Sequence, residues 1–154
     1  MSIKIDAIDR RILNVLQEDG RIQNVELARR VGLSPSACLR RVRLLEETGV
    51  IVRYVAQINP SLVDAGFTVF ARVWLKEQDE KTVNGFIREV MAMPEVMECH
   101  LMAGDSDFLL RVTVADLDAY RQFQITRLNP IKDVQNVKTD IPMQQIKQSS
   151  RILL

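Results

Sequence analysis

A chain of 154 residues, 47% hydrophobic and 27% charged, has room for one ordinary domain or two small ones, and this composition excludes a disordered or low-complexity polymer. The formal net charge of +1 hides a division: residues 1–60 hold ten Lys/Arg against seven Asp/Glu, and residues 61–154 hold eleven against thirteen. Basic chemistry is therefore confined to the N-terminal part.

From the N-terminus, Asp6 with Asp9 three residues on is a capping box. Ile5, Ile8, Ile12, Val15 and Leu16 then repeat at helical spacing up to Gly20. Asn24 to Val31 reads as a short helix with Asn24 as its cap, Leu27, Ala28 and Val31 as its apolar face and Gly32 as its stop. Ser34 caps the next helix, Pro35 suits its first position, and Gly49 ends it. Within that helix Cys38, Val42 and Leu45 must face a core, which turns Ser36, Arg40 and Arg43 outward, with Ala37 and Arg41 beside them. From Arg29 to Leu45 there are five arginines and no acid, so the local potential is positive and phosphate is the natural partner. Three arginines alone would be an ordinary solvated face. A short helix, a Gly-containing turn and a second helix with a basic outer face together make the helix-turn-helix pattern, whose second helix enters the major groove of double-stranded DNA.

Val50 to Ile58 alternates and predicts a strand, ended by Asn59-Pro60. We place the helix-turn-helix domain at 1–50, a hinge strand and linker at 51–62 and a second domain at 63–154. Phe67 to Leu75 predicts a strand, Thr82 to Met91 a helix, and Val96 to Ala103 and Phe108 to Val114 two strands joined by the hairpin turn Gly104-Asp105-Ser106-Asp107. Asp116 caps a further helix, and Val134 to Ile146 predicts a last strand with Pro142 at an edge or bulge. The order β-α-β-β-α-β is the ferredoxin-like sandwich, so the class is α+β: an N-terminal, winged-helix-like helix-turn-helix domain and a C-terminal sheet with two helices on one face. The helix-free face needs a cover, and a homodimer is expected.

Several chemistries find no support. His100 is the single histidine, which excludes a Ser-His-Asp triad and a multi-histidine metal site, and Cys38 and Cys99 are too isolated to form a metal or redox pair and read as buried thiols. No Gly-rich phosphate loop follows a strand. Catalytic residues, metal and cofactor are all expected to be absent. No apolar run nears the roughly 20 residues that span a bilayer, and Met1-Ser2-Ile3-Lys4-Ile5-Asp6 has no signal-peptide core, so a cytoplasmic protein without membrane association is expected.

The chain resembles the Lrp/AsnC, or feast/famine, transcriptional regulators. The resemblance is carried by Ile8-Asp9-Arg10-Arg11-Ile12-Leu13, Gly20-Arg21-Ile22, Ser34-Pro35 followed by Arg41-Val42-Arg43-Leu44-Leu45-Glu46, Gly104-Asp105-Ser106-Asp107 and the Lys147-Gln148-Ser149-Ser150 end. It implies that residues 63–154 sense a small amino acid and oligomerise, as a dimer assembling further, often to an octamer. It maps the DNA-reading helix to Ser34 through Glu46, with Ser34, Ser36, Ala37, Arg40, Arg41 and Arg43 as contacts. It maps the effector site to the hairpin, with Met102, Gly104, Asp105 and Asp107, and to the last strand, with Thr139, Asp140 and Ile141. Asp140 and Pro142 depart from the family pattern there. A glycine turn offers backbone N–H groups to a carboxylate and its acids answer an ammonium, Asp107 first and Asp105 second. Taken alone, Gly-Asp-Ser-Asp is simply a good hairpin turn. Met102 and Ile141 as apolar walls point to leucine or methionine. Two other readings stay open: an effector-independent DNA-organising protein, and a ligand-sensing assembly protein whose helix-turn-helix does not bind DNA.

Overall fold

The computed structural model describes residues 4–154. Met1–Ile3, part of the stretch expected to lack a signal-peptide core, lie outside the described residues. The chain forms two compact units, one made by the chain up to Gln57 together with Lys147–Leu154, the other by Ile58–Ile146.

In the first unit α1 spans Ala7–Glu18, and its capping box is complete: the Asp6 carboxylate accepts from Ile8 N and Asp9 N, and the Asp9 side chain accepts from Asp6 N. The second helix, α2, spans Asn24–Val31 with Gln23 rather than Asn24 as N-cap. The reason is tertiary, because Asn24 Nδ2 donates to the Pro35 carbonyl at 2.8 Å and so ties α2 to the start of α3. Gly32 closes α2 in the left-handed region at φ 74°, where a side chain would be strained. The third helix, α3, spans Pro35–Glu47, with Ser34 Oγ accepting from Ala37 N. Ile12, Leu13, Leu27, Ala28, Val31, Cys38 and Leu45 form the buried core of the three helices.

The strand expected over Val50–Ile58 does not form: no strand is present between α3 and Phe67. Alternation supplies two faces, but a strand also needs a neighbour to complete its ladder, and no described residues pair with this segment. It is anchored in the first unit by Ile51, whose N–H donates to the Leu45 carbonyl at 2.9 Å, and by Tyr54, whose hydroxyl donates to Glu46 Oε1 at 3.0 Å and whose ring lies so close to Gly20 that a Cβ there would stand 3.2 Å from it. The last residues also belong to this unit, unlike the expected 63–154 grouping. Ile152 N donates to Gln17 Oε1, Gln17 Nε2 returns a bond to the Ile152 carbonyl, and Arg151 pairs with Glu18 at 2.8 Å.

The second unit contains β1 (Phe67–Leu75), α4 (Glu80–Met91), β2 (Val96–Leu101), β3 (Phe108–Val114), α5 (Leu117–Phe123, continuing as a π-turn over Gln124–Leu128) and β4 (Val134–Asp140). The sheet is antiparallel throughout in the order β2-β3-β1-β4, which is the ferredoxin-like arrangement. Alternation along β1 sends Val69, Ala71, Val73 and Leu75 to the helices, where they meet Phe86 and Val90 of α4 and Tyr120 and Phe123 of α5. The last strand ends at Asp140, short of the expected Ile146, because Pro142 has no N–H to continue a ladder. Cys38 is buried as expected, whereas Cys99 is half-buried.

Candidate DNA-reading face and effector cavity

Helical period divides α3 as expected. Cys38 and Leu45 are buried, while Ser36, Arg40 and Arg43 are exposed on the opposite side. The five arginines are not equivalent. Glu26 binds Arg29 at 2.7 Å and Arg30 at 3.0 Å, and these hydrogen bonds, Arg29 first, hold its carboxyl at about 2. Arg41 does not stand free beside the basic face, because its guanidinium bridges Asp6 at 2.7 Å and Asp9 at 2.8 Å on α1. The Asp6 carboxyl is held below its usual range, by the Asp9 amide first and by Arg41 next. Among the described residues Arg40 and Arg43 form no ion pair, so they are the arginines of this run left to meet phosphate or a base edge. Ser34 is already engaged as the helix cap, and Ala37 is half-buried. The outer stripe of α3, Ser36, Leu39, Arg40, Arg43, Leu44 and Glu47, lines an open hollow of 640 Å³.

The hairpin between β2 and β3 is pinned to β1. Trp74 Nε1 donates to the Asp105 carbonyl at 2.7 Å, Asp107 N donates to the Val73 carbonyl, and Met102 N donates to the Asp107 carbonyl. These bonds set Met102, Gly104 and Asp105 at the rim of a 480 Å³ cavity on the helix-free face of the sheet. Phe70, Met102 and Leu109 supply its apolar wall. Arg72, Asp105 and Asp140 supply its charge, and Arg72 pairs with Asp140 at 2.8 Å.

Of the seven residues expected at the effector site, four meet here: Met102, Gly104, Asp105 and Asp140. Three do not. The Asp107 carboxylate turns to β1, where Oδ2 accepts from the Leu75 N–H at 2.7 Å. Thr139 lies next to Asp140, but the pleat sends it to the helix-covered face, where its hydroxyl meets that of Tyr120 at 2.6 Å. Ile141 is exposed just beyond the end of β4 and does not line the cavity. Sequence reasoning missed Phe70, Arg72, Ser106 and Leu109. Alternation within Phe67–Leu75 already set Phe70 and Arg72 opposite the core residues, but only the pairing of β1 with β3, Arg72 opposite Leu109, brings that face beside the hairpin, and the pairing of Phe70 with Asp140 adds β4 to it. Among the described residues no group of His, Cys, Asp and Glu is placed to hold a metal ion, and no helix is long and apolar enough to cross a membrane.

Comparison with known proteins matches both parts of the chain. Residues 5–52 match the winged helix-turn-helix DNA-binding family, and residues 68–152 match the Lrp/AsnC ligand binding domain family. The leucine-responsive regulatory protein of Escherichia coli (strain K12) is 44% identical over 150 residues, covering 97% of this chain and 92% of the relative, and that of Salmonella typhimurium aligns equally well. A transcriptional regulator of Neisseria meningitidis, solved as its L-Met complex, superposes with a TM-score of 0.92 at 35% identity over 97% of both chains. An AsnC family transcriptional regulator of Agrobacterium tumefaciens gives 0.91 at 38% identity over 96% of both. With a DNA-binding helix-turn-helix unit and a ligand-binding unit both matched, this chain belongs to the Lrp/AsnC family of transcriptional regulators.

Proposed function

We propose that this regulator senses a free apolar amino acid, leucine or methionine, in the cavity beside the hairpin, and that occupancy changes its binding to duplex DNA or its assembly. The observation that carries the reading is the cavity's composition. Phe70, Met102 and Leu109 offer a wall to an apolar side chain, Asp105 offers a carboxylate to an ammonium, and Arg72, whose guanidinium has donors beyond the Nη2 that meets Asp140, offers its charge to a carboxylate. Asp105 takes the ammonium in this reading, since the Asp107 carboxylate is engaged by Leu75 and Asp140 by Arg72. A leucine-responsive relative and a neighbour solved with L-Met support the choice of effector. On the DNA side, Arg40 and Arg43 contact the duplex while Arg41 holds α3 to α1. A homodimer that covers the helix-free sheet face, assembling further to an octamer, is part of the same reading, because Phe70, Trp74 and Leu109 lie on a face with no helix of its own.

A ligand that binds only the folded state raises its stability. Leucine or methionine at millimolar concentration should therefore raise the melting temperature of the full chain, and Asp105→Asn should weaken that binding about tenfold or more, one decade being 1.4 kcal/mol. Failure of all twenty amino acids to shift melting, with duplex binding unchanged by them, would replace this reading by that of an effector-independent DNA-organising protein.

A further inference from the structure

The outer stripe of α3 is not uniformly polar. Leu39, between Ser36 and Arg40 in the chain, is 39% exposed, and Leu44 is 58% exposed further along. An exposed leucine on a helix that must enter a wet, anionic groove asks for an apolar partner in that groove. On the base edges of the major groove the apolar group is the C5-methyl of thymine. The residues of a recognition helix that reach base edges lie toward its N-terminus, which here means Ser36, Leu39 and Arg40. Leu44 falls toward the other end of α3, beside Glu47 and away from the N-terminal part that reaches base edges. Leu39 is thus the large apolar side chain of α3 with both the position and the exposure to touch a base.

We propose that Leu39 is a specificity-determining residue of this regulator, selecting thymine at one position of its site by packing on the C5-methyl while Arg40 beside it binds a base edge or phosphate. The inference rests on α3 being the helix that enters the groove. The two neighbours have separate roles, the arginine supplying affinity that depends on salt and the leucine supplying discrimination that does not.

The test uses the full chain and the duplex it enriches from a random library. Each thymine of that duplex is replaced in turn by deoxyuridine, which removes the methyl and leaves the hydrogen-bonding edge unchanged, and affinity is read by fluorescence anisotropy at fixed salt. One replacement should weaken wild-type binding about fourfold, the value of one buried methyl-sized group. Leu39→Ala should bind the thymine duplex about as weakly as wild type binds that uracil duplex, and should not distinguish the two. Leu39→Met, which keeps an apolar tip, should keep the preference, and the wild-type scan stands by itself should the alanine variant fail to melt cooperatively. Indifference of the wild type to every replacement, or a full thymine preference retained by folded Leu39→Ala, would overturn the assignment. Enrichment of no duplex would instead remove α3 from the groove.

Discussion

Asp107 separates a turn residue that holds the sheet from a residue that holds the effector. Its Oδ2 accepts the Leu75 N–H at 2.7 Å, and Leu75 is 2% exposed at the point where the β1–β4 register shifts. Asp107→Ala leaves that buried N–H without its acceptor, which costs about 1–3 kcal/mol. In a unit of this size each kcal/mol moves the melting temperature by about 4–8 °C, so the loss is easily measured in a denaturant or thermal titration. Asp107→Asn keeps an amide oxygen in the same place and gives up only the charge assistance, so it should lose less than half as much stability. Methionine affinity, measured by calorimetry on the same variant, should stay within about threefold of wild type, which is less than half a decade in ΔG terms. An unchanged melting temperature for Asp107→Ala would show that Leu75 finds another acceptor. A tenfold loss of methionine binding in a fully stable Asp107→Asn would return the ammonium to Asp107 and remove Asp105 from that role.

The arginines of α3 should divide in the same way. Arg41→Ala, which unties α3 from Asp6 and Asp9, should lower the melting temperature of the N-terminal unit by a few degrees, whereas Arg40→Ala with Arg43→Ala should leave melting nearly unchanged and weaken duplex binding with a shallower salt dependence. Equal losses of stability in the two variants would contradict the partition. In acid, the fold favours ionised Asp6 and Glu26, whose ordinary values are 3.8 and 4.5, so their contribution is complete above those values and is lost as pH falls through the lowered ones, about 2 for Glu26. Tyr54 runs the other way: burial first, and Glu46 next, raise its phenol from 10.0 to about 12, so its contribution is present below 10 and lost as pH rises through about 12. Melting followed against pH should therefore fall on both flanks, and Arg41→Ala should flatten the acid one; an acid flank as steep as wild type would show that the Arg41 bridge adds nothing to it.

What the amino-acid sequence determined by itself was local. Ser34 and Pro35 start α3 and Gly49, left-handed at φ 74°, follows its end, helical period chose Cys38 and Leu45 for the core, and alternation divided β1 into its two faces. Each of these depends on backbone geometry and neighbours three or four residues away, and such patterns are written in the chain. Only the tertiary structure decided which polar groups met. Arg41 finds Asp6 and Asp9 more than 30 residues back, the Asp107 carboxylate finds the Leu75 amide across a strand, Arg72 finds Asp140, and Thr139 turns to Tyr120 while its neighbour faces the cavity. The segment after α3 carries the alternation of a strand and pairs with none among the described residues, because its ladder depends on a neighbour that its own residues cannot specify. Local preference is encoded residue by residue, whereas the partner of a charge or a strand edge exists only once distant segments have been brought together by burial of their apolar faces.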